Sequence, residues 1–562
     1  MSAAGQSAPL PDVSDCKLLL TAAEAFPALE RAILAAHERV VLSFRVIDLA
    51  TRLRSDEGRA IGETWADLLA DALSRGVSIR LVVADFDPIG APELHRMSWH
   101  TIRQCAAVRE MAGDEAAPFE AIAALHPARI GKVLGIFLWA VAATKLHQAA
   151  GIVNHRPEAA RERFLSEAPR LRTHLVKTDS ETHKVRPNWW QRFSLAPVTH
   201  HQKLAVIDGK RLFIGGLDLD ERRWDTPEHS RMAQDTWHDI QMLFDEPALA
   251  AQAERHVDLF LDQTAGKPGC PPPLGQPEMR PATEGLRFIT TLSRPSPMKV
   301  LRFAPETASR GIYAAHIART AQAKHLIYLE SQFFRDTHLA RALAARAAAE
   351  PGLNCLLVLP AAPEEVAFNS GGTDARYGEY LQARALRKLR RAFGERLFIA
   401  SPAQRRRPES PSDEVGEAGV GEPDGTGREK HGGLGRAALF GAPVIYVHAK
   451  LSVFDEAAAI VSSANLNGRS MKWDSEAGVE MTHRGDVEMI RERVVDHWFP
   501  DATEAQRDRL IDPLTAREAW ENIARSDAAR SPEDRQSFLL PFDLRSTARF
   551  GHQVPGIPEQ MV

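Results

Sequence analysis

The chain has 562 residues, a formal net charge of −4 at pH 7 and a hydrophobic content of 44%. This length accommodates two to four ordinary domains or one large fused pair, each with a sizeable core. The near-neutral charge argues against a dedicated nucleic-acid binder, whose phosphate contacts usually need a basic surface. The cysteines form no C-x-x-C pair and indicate neither a zinc site nor a disulfide framework; they are Cys16, Cys105, Cys270 and Cys355.

The amino-terminal sequence MSAAGQSAPLPDVSDCK lacks the charged start and the apolar core of a secretory signal. Export by the general route is therefore not expected. We expect the protein to reside in the cytoplasm or at the membrane periphery, with secretion by a route that needs no signal peptide as the alternative.

The order of predicted elements is repeated along the chain. Residues 27–87 are predicted to form helix, strand, helix and strand, and residues 309–360 follow the same order. Strands that alternate with helices of this length are typical of α/β folds, in which helices cover mixed sheets.

Two segments that precede residue 201 have a composition suited to lipid contact. The apolar run from Val133 to Thr144 has about a dozen residues, against the ~20 that a membrane-spanning helix needs. We expect it to form a buried helix, with an interfacial segment as the alternative. Trp189, Trp190 and Phe193 lie among basic residues, which suits a membrane interface or an enclosure for a quaternary ammonium group. The alternative role for these aromatic residues is to fill a core.

The pattern HxKxxxxD occurs twice, in HQKLAVID and in HAKLSVFD. With 21 histidines in the chain, one chance match is expected roughly 0.03 times, so two matches strongly indicate shared chemistry. Each motif lies in a run of strand type, where residues i and i+2 point to the same face. An imidazole beside an ammonium suits a phosphate ester, because the cation disperses charge while the neutral imidazole attacks phosphorus. The predicted catalytic residues of the two motifs are His201, Lys203, Asp208, His448, Lys450 and Asp455.

The sequence after each motif is repeated as well. An apolar strand ends in two small residues, and small residues let backbone N–H groups approach a phosphate. We therefore predict that Gly216 and Ser463 bind the substrate phosphate, and that Asn465 adds an amide donor. Asp208 and Asp455 end their strands before a turn, and we interpret them as anchors within the catalytic set rather than as acids.

A carboxylate follows each histidine further along the chain, Asp239 in WHDIQM and Glu476 in WDSEAGVEM. A carboxylate that accepts a hydrogen bond from imidazole Nδ1–H fixes the tautomer in which Nε2 is free to attack. We predict that each carboxylate orients the histidine of its own half, Asp239 for His201 and Glu476 for His448.

Prolines and glycines in residues 264–281 forbid regular structure and mark a joint between two halves. We place the first half at residues 1–284 and the second at residues 285–562. Residues 402–437 are too polar and too rich in glycine to pack, and we predict a mobile loop there, either a lid or a plain insertion.

These motifs resemble those of the phospholipase D superfamily, the phosphodiesterases with a duplicated HKD motif. SFRVID, GVSIRLVVADFD and HHQKLAVIDGKRLFIGGLDL resemble first-half segments of the larger, eukaryote-like bacterial phospholipases D, and LIYLESQFF, VHAKLSVFD and SSANLNGRS resemble second-half segments. The resemblance implies an α/β fold of two similar α/β/α halves with mixed central sheets. A pseudo-twofold axis would relate the halves and place the active site at their interface.

The resemblance also implies two successive displacements at phosphorus, without a metal ion or another cofactor. His201 is expected to be the nucleophile that forms a phosphohistidine, and His448 the general acid and base, although the symmetry of the motifs leaves this order open. Lys203, Lys450 and Asn465 would bind the phosphoryl oxygens.

The implied function is that of a phospholipase D, which hydrolyses the distal phosphodiester bond of glycerophospholipids to phosphatidate and free headgroup, with phosphatidyl transfer to an alcohol as a second outcome. The alternatives are a cardiolipin synthase-like phosphatidyltransferase, an HKD-type nuclease and a binding protein with a degenerate site. The charge balance disfavours the nuclease, and two complete motif sets disfavour the binding protein. The expected partner is phospholipid at a membrane surface, with no nucleic acid and no transmembrane segment, and the chain is expected to act as a monomer.

Overall fold

The computed structural model describes residues 14–178, 181–191, 195–265, 284–296, 305–368, 373–409, 436–554 and 559. Phe193, the joint from residue 266 onward and most of the predicted loop at 402–437 lie outside the described residues. Within those ranges, no helix combines the length and the apolarity needed to cross a membrane.

The strands of the first half build one mixed sheet. Seven strands of the described chain are hydrogen-bonded in the order β1-β9-β8-β7-β2-β3-β4. β2, β3 and β4 run parallel. The pairs β2–β7, β7–β8, β8–β9 and β9–β1 are antiparallel. β5 and β6 form a separate hairpin. The strands are β1 (Cys16–Leu20), β2 (Arg39–Phe44), β3 (Ser78–Asp85), β4 (Phe119–Leu125), β5 (Leu175–Lys177), β6 (Val185–Pro187), β7 (Leu204–Ile207), β8 (Arg211–Gly215) and β9 (Ile240–Asp245).

The second half repeats this order in a larger sheet. Nine of its described strands are arranged as β11-β10-β19-β18-β17-β12-β13-β14-β20. β12, β13 and β14 run parallel, and β17, β18 and β19 continue antiparallel from β12. The strands are β10 (Leu286–Arg294), β11 (Glu306–Arg310), β12 (Leu326–Ser331), β13 (Asn354–Val358), β14 (Leu397–Pro402), β15 (Ala438–Leu439), β16 (Ala442–Pro443), β17 (Lys450–Phe454), β18 (Ala458–Ser462), β19 (Glu476–Met481) and β20 (Leu539–Pro541). The expected fold class, two similar α/β halves with mixed sheets, is confirmed.

Helices connect the parallel strands and cover the sheets. In the first half they are Thr21–Leu34, Asp56–Ile61, Trp65–Ser74, Pro92–Ala112, Lys132–Phe137, Trp139–His155, Glu158–Glu167, Pro169–Thr173 and Pro247–Ala265. In the second half they are Gly311–Gln322, Thr337–Ala349, Glu364–Ala367, Thr373–Phe393, Arg484–Trp498, Glu504–Ile511, Ala516–Ala528 and Leu544–Phe550.

One hydrophobic cluster joins the two sheets. Leu204 and Val206 of β7 belong to the same cluster as Leu451 and Val453 of β17. The alternate residues of β7 point to the opposite face, where a second cluster packs the sheet against its helices. Because the sheets share a core, the ends of β7 and β17 that carry the motif histidines have a defined relative position.

The apolar run at 133–144 is not the buried helix that we expected. It falls in the helices Lys132–Phe137 and Trp139–His155, and Ile136, Trp139 and Val141 are 75%, 54% and 51% exposed. The second helix buries its opposite face instead, which is rich in alanine. The buried-helix prediction is therefore wrong for this part of the run, and the interfacial alternative gains support.

A buried histidine makes the stability of the fold depend on pH. His256 lies in the helix Pro247–Ala265, is 3% exposed and packs against Phe260 and Phe288. Burial lowers its pKa to about 4. The unfolded chain binds a proton below the ordinary histidine pKa of about 6.5 and the folded chain does not, so stability is lost as the pH falls below 6.5.

We predict that lowering the pH from 7 to 5 reduces the unfolding free energy of both the unaltered protein and His256→Leu. The reduction should be about 2 kcal/mol larger in the unaltered protein. Urea titrations at both pH values measure this difference. The exposed His338→Leu is the control for removing an imidazole. An equal pH dependence in His256→Leu and in the unaltered protein would contradict the prediction.

Candidate active site

A cavity of about 560 Å³ lies between the two halves, and both motif histidines line it. His201 reaches it from the segment that precedes β7, and His448 from the segment that precedes β17. The backbone N–H of His201 donates to Ser475 O at 2.8 Å, and that of His448 donates to His238 O at 2.8 Å. Each histidine is therefore held by backbone of the opposite half.

The motif lysines lie beside their histidines, as the i, i+2 spacing predicts. Lys203 Nζ is 3.4 Å from both ring nitrogens of His201 and donates to its backbone carbonyl at 2.7 Å. Lys450 Nζ is 2.7 Å from His448 Nδ1 and also contacts the His448 carbonyl. Both lysines are buried, so their charge acts on the histidines with little screening by water.

The orienting carboxylates are exchanged between the halves. Glu476 Oε2 lies 3.0 Å from His201 Nδ1, and Asp239 Oδ2 lies 2.6 Å from His448 Nδ1. The prediction that each carboxylate serves its own half is therefore wrong. The physical reason is the backbone pairing, which sets residue 200 beside residue 475 and residue 238 beside residue 447.

His448 Nδ1 has two neighbours, Asp239 and Lys450, that require opposite proton states. A ring nitrogen that donates to a carboxylate cannot also accept from an ammonium. We assign the hydrogen bond to Asp239, because the same contact recurs between His201 and Glu476 and because the backbone carbonyl of His448 accepts from the ammonium. This assignment places the lone pair of each ring on Nε2.

The electrostatics of the cavity favour neutral imidazoles. Burial, strengthened by Lys203, lowers the pKa of His201 well below 6.5. Burial, strengthened by Lys450, does the same to the pKa of His448. At pH 7 both rings therefore carry a lone pair that can attack phosphorus. Burial also lowers the pKa of Lys450, to about 7, and the nearby Asp239 opposes that effect.

The two small residues after the motif strands support the carboxylates. A side chain at Gly216 would meet Asp239, since a Cβ there would lie 2.2 Å from Asp239 Oδ1. The Ser463 hydroxyl donates to Glu476 Oε2. Neither Gly216 nor Ser463 is among the residues that line the cavity. Both residues therefore support the carboxylates, and their contact with the substrate phosphate stays a prediction.

Asn465 lines the cavity together with the two histidines and is 5% exposed. Its Oδ1 has no hydrogen-bond partner among the described residues. The corresponding residue of the first half, Asp218, accepts instead from the backbone N–H of Val46 and lies 3.8 Å from Lys203 Nζ. The two halves thus place different side chains at equivalent positions.

Asp208 and Asp455 lie at the far ends of the motif strands, about 20 Å from the histidines by strand geometry. Both have a φ of +53°. Asp208 accepts from three backbone N–H groups, those of residues 37, 38 and 39, and Asp455 accepts from those of residues 324, 325 and 326. They tie each motif strand to the turn before its central strand, in keeping with anchors rather than acids.

The sequence pattern did not reveal that the cavity carries several arginines. Arg45 directly follows β2, and within the described chain it has no hydrogen bond or ion pair. Arg223 stacks on Trp237 at 3.9 Å, and Arg469 pairs with Asp474 at 2.8 and 3.0 Å. The signal that could have identified Arg45 is a charged residue at the end of a predicted central strand.

We predict that the exchange of carboxylates is visible in the histidine signals of labelled protein. Glu476→Gln should shift the signals of His201 and leave those of His448, whereas Asp239→Asn should do the reverse. NMR of histidine-labelled protein, with the two rings assigned by substitution, measures this effect. The opposite pattern would restore pairing within each half.

The amino-acid sequence of the chain is similar to those of phospholipases D. No protein-family model matches it. Phospholipase D beta 2 of Arabidopsis thaliana is 21% identical over 392 residues, which cover 53% of this chain and 41% of that protein. Phospholipase D1 of Schizosaccharomyces pombe is 24% identical over 351 residues, which cover 48% of this chain and 24% of that protein. The chain thus spans less than half the length of these curated relatives. Among solved structures, phosphatidylserine synthase of Haemophilus influenzae Rd KW20 superposes with a TM-score of 0.47 at 10% identity, over 86% of each chain.

Proposed function

We propose that this chain, a member of the phospholipase D superfamily, hydrolyses the distal phosphodiester bond of glycerophospholipids to phosphatidate and free headgroup. One observation carries the proposal. Two imidazoles, His201 and His448, line one cavity, each beside an ammonium and each held by a carboxylate of the opposite half. Two such groups can act on opposite sides of a single phosphorus atom.

In the first step His201 Nε2 attacks phosphorus and the bond to the headgroup oxygen breaks. His448, protonated as the anionic phosphodiester enters, gives its proton to that oxygen. In the second step His448 takes a proton from water, the water oxygen attacks phosphorus, and the phosphorus–nitrogen bond to His201 breaks. Phosphatidate leaves and both histidines return to their starting states.

The cations around the cavity stabilise the charge that builds up on the phosphoryl oxygens. Lys203 and Lys450 lie beside the attacking and the protonating rings. Asn465 offers a carboxamide whose Oδ1 has no hydrogen-bond partner in the described chain, and Arg45 offers a guanidinium that lies over the Phe86 ring. Glu476 and Asp239 keep the two rings in the tautomer that the steps require.

We further propose that the protein binds the lipid surface through an exposed apolar face. By the apolar face we mean the exposed side chains of Ile136, Trp139, Val141, Trp189 and Trp190. Trp190 is 96% exposed, and the rings of Trp139 and Trp189 are 5.9 Å apart. Exposed aromatic and aliphatic side chains of this kind are suited to the headgroup region of a bilayer.

Short stretches of chain connect the apolar face to the wall of the cavity. Lys145 lines the cavity and belongs to the same helix as Trp139, about 9 Å further along its axis. Ala196 and Pro197, soon after Trp190 in the chain, also line it. A bilayer that contacts the apolar face would therefore present its headgroups to His201 and His448.

We predict that the purified protein releases phosphatidate from mixed phospholipid vesicles and forms a phosphatidyl alcohol when a primary alcohol is added. Both activities should survive a chelator in an assay at 25 °C. His201→Ala and His448→Ala should each lower turnover by a factor on the order of 10³ or more, because one imidazole cannot serve both roles.

The buried His256→Leu is the matched control, since it removes an imidazole outside the cavity. Thermal melting of each variant separates lost chemistry from lost folding. Near-normal rates in either motif variant would contradict the proposed mechanism. A product that forms only with alcohol and never with water would favour the phosphatidyltransferase alternative.

We predict that Trp139→Ala with Trp190→Ala weakens binding to phospholipid vesicles about tenfold or more, because two interfacial rings are lost. Hydrolysis of a dispersed short-chain phospholipid should stay within about twofold of the unaltered rate. Vesicle sedimentation measures the binding. Leu514→Ala, at a residue that is 66% exposed, is the control for loss of an exposed apolar side chain. Equal vesicle binding by both variants would argue against the apolar face.

A further inference from the structure

Three buried histidines form a cluster that the proposed reaction does not use. His229 and His238 belong to the first half, and His497 belongs to the helix Arg484–Trp498 of the second. One ring nitrogen of each lies within 4.8 Å of those of the other two. The three residues are 0%, 1% and 8% exposed. His238 directly precedes Asp239 in extended chain, so its side chain points away from the cavity.

His229 presents a defined nitrogen to the cluster. Its Nδ1 lies 2.7 Å from Oδ2 of the buried Asp225, so Nδ1 carries the proton and Nε2 carries the lone pair. His229 Nε2 is 3.2 Å from His497 Nε2. Bonds of about 2.0–2.1 Å to one tetrahedral Zn²⁺ would hold two nitrogens about 3.4 Å apart, close to this separation.

His238 is backed by a carboxylate as well. Its Nε2 lies 2.6 Å from Glu330 Oε1, and neither of its ring nitrogens has a hydrogen bond of acceptable geometry within the described chain. Glu330 is itself buried and accepts from the Tyr328 hydroxyl at 2.5 Å. Imidazoles that ligate metals are commonly held by carboxylates in this way, which fixes the ring and raises its basicity.

The cluster can be reached from solvent. A cavity of about 400 Å³, separate from the one that contains His201, opens onto His229 and His497. Its wall includes the acidic residues Glu228, Asp496 and Glu533 together with two arginines. A divalent cation therefore has an entry path to the cluster.

We propose that His229, His238 and His497 bind one divalent transition-metal ion that prefers imidazole ligands, of which Zn²⁺ is the test case. The ion would cross-link the two halves, because two ligands come from the first half and one from the second. It would also hold the peptide of His238, whose carbonyl accepts from the His448 backbone N–H at 2.8 Å and whose neighbour Asp239 orients the His448 ring. This inference departs from our expectation of a protein without metal, which rested on the cysteines and on the family resemblance. It does not depend on the proposed function.

The experiment uses the full chain without an affinity tag, loaded with Zn²⁺ and dialysed exhaustively. We expect elemental mass spectrometry to find about one Zn²⁺ per chain. The melting temperature should fall when a chelator removes the ion and recover when Zn²⁺ is added back. His497→Ala should lower the zinc content at least about tenfold and abolish the effect of Zn²⁺ on melting. The matched control, His256→Ala, should keep both.

A second control tests whether the zinc binds at the catalytic histidines instead. The double variant with His201→Ala and His448→Ala should keep its zinc. X-ray absorption at the zinc edge of the unaltered protein tests the site without any substitution, and three imidazole nitrogens at about 2.0–2.1 Å are expected. The proposal is overturned by a zinc content below about a tenth per chain, by zinc that persists in His497→Ala, or by an absorption spectrum that indicates sulfur or only oxygen ligands. If the zinc content is that low, the contact between His229 and His497 is an ordinary N–H···N hydrogen bond.

Discussion

The interaction on which the rest of the structure depends is the hydrogen bond between an imidazole of one half and a carboxylate of the other. Glu476 holds His201, and Asp239 holds His448. A half on its own would present a histidine whose ring has no carboxylate to fix its tautomer. The site therefore requires both halves in one relative position, which the shared core between the sheets and the backbone contacts at Ser475 and His238 provide.

The scaffold around these pairs is nearly symmetric, whereas the cavity is not. Both halves use an aspartate with a left-handed backbone to anchor the far end of the motif strand, and both use a small residue to make room for a carboxylate or to bond it. At the next equivalent position the halves differ. Asn465 faces the cavity with an unpaired oxygen within the described chain, whereas Asp218 is engaged by Val46 and lies near Lys203. This difference gives two histidines in matching scaffolds unequal surroundings, which a reaction with distinct nucleophile and acid roles requires.

The segment around Asp239 separates two environments that serve different purposes in our proposals. On one side lies the cavity, with its cations and the apolar face connected to its wall, where an anionic lipid phosphate would bind. On the other side lies the cluster of His229, His238 and His497, where imidazole ligands and nearby carboxylates suit a cation. Alternation of side chains along extended backbone lets adjacent residues, His238 and Asp239, belong to these two environments.

The sequence by itself determined the fold class and the residues of the two motifs. Strand periodicity predicted that His201 would lie beside Lys203 and His448 beside Lys450, because neighbours two residues apart share a strand face. The turn-forming positions of Asp208 and Asp455 were equally local. Only the tertiary structure decided which carboxylate holds which histidine, because that pairing joins residues more than 200 positions apart, across the halves. It also decided that residues 133–144 are partly exposed, since an apolar run has the same composition whether protein or lipid covers it. The histidine cluster became visible for the same reason: its members lie far apart in the chain and meet only where two folded halves pack together.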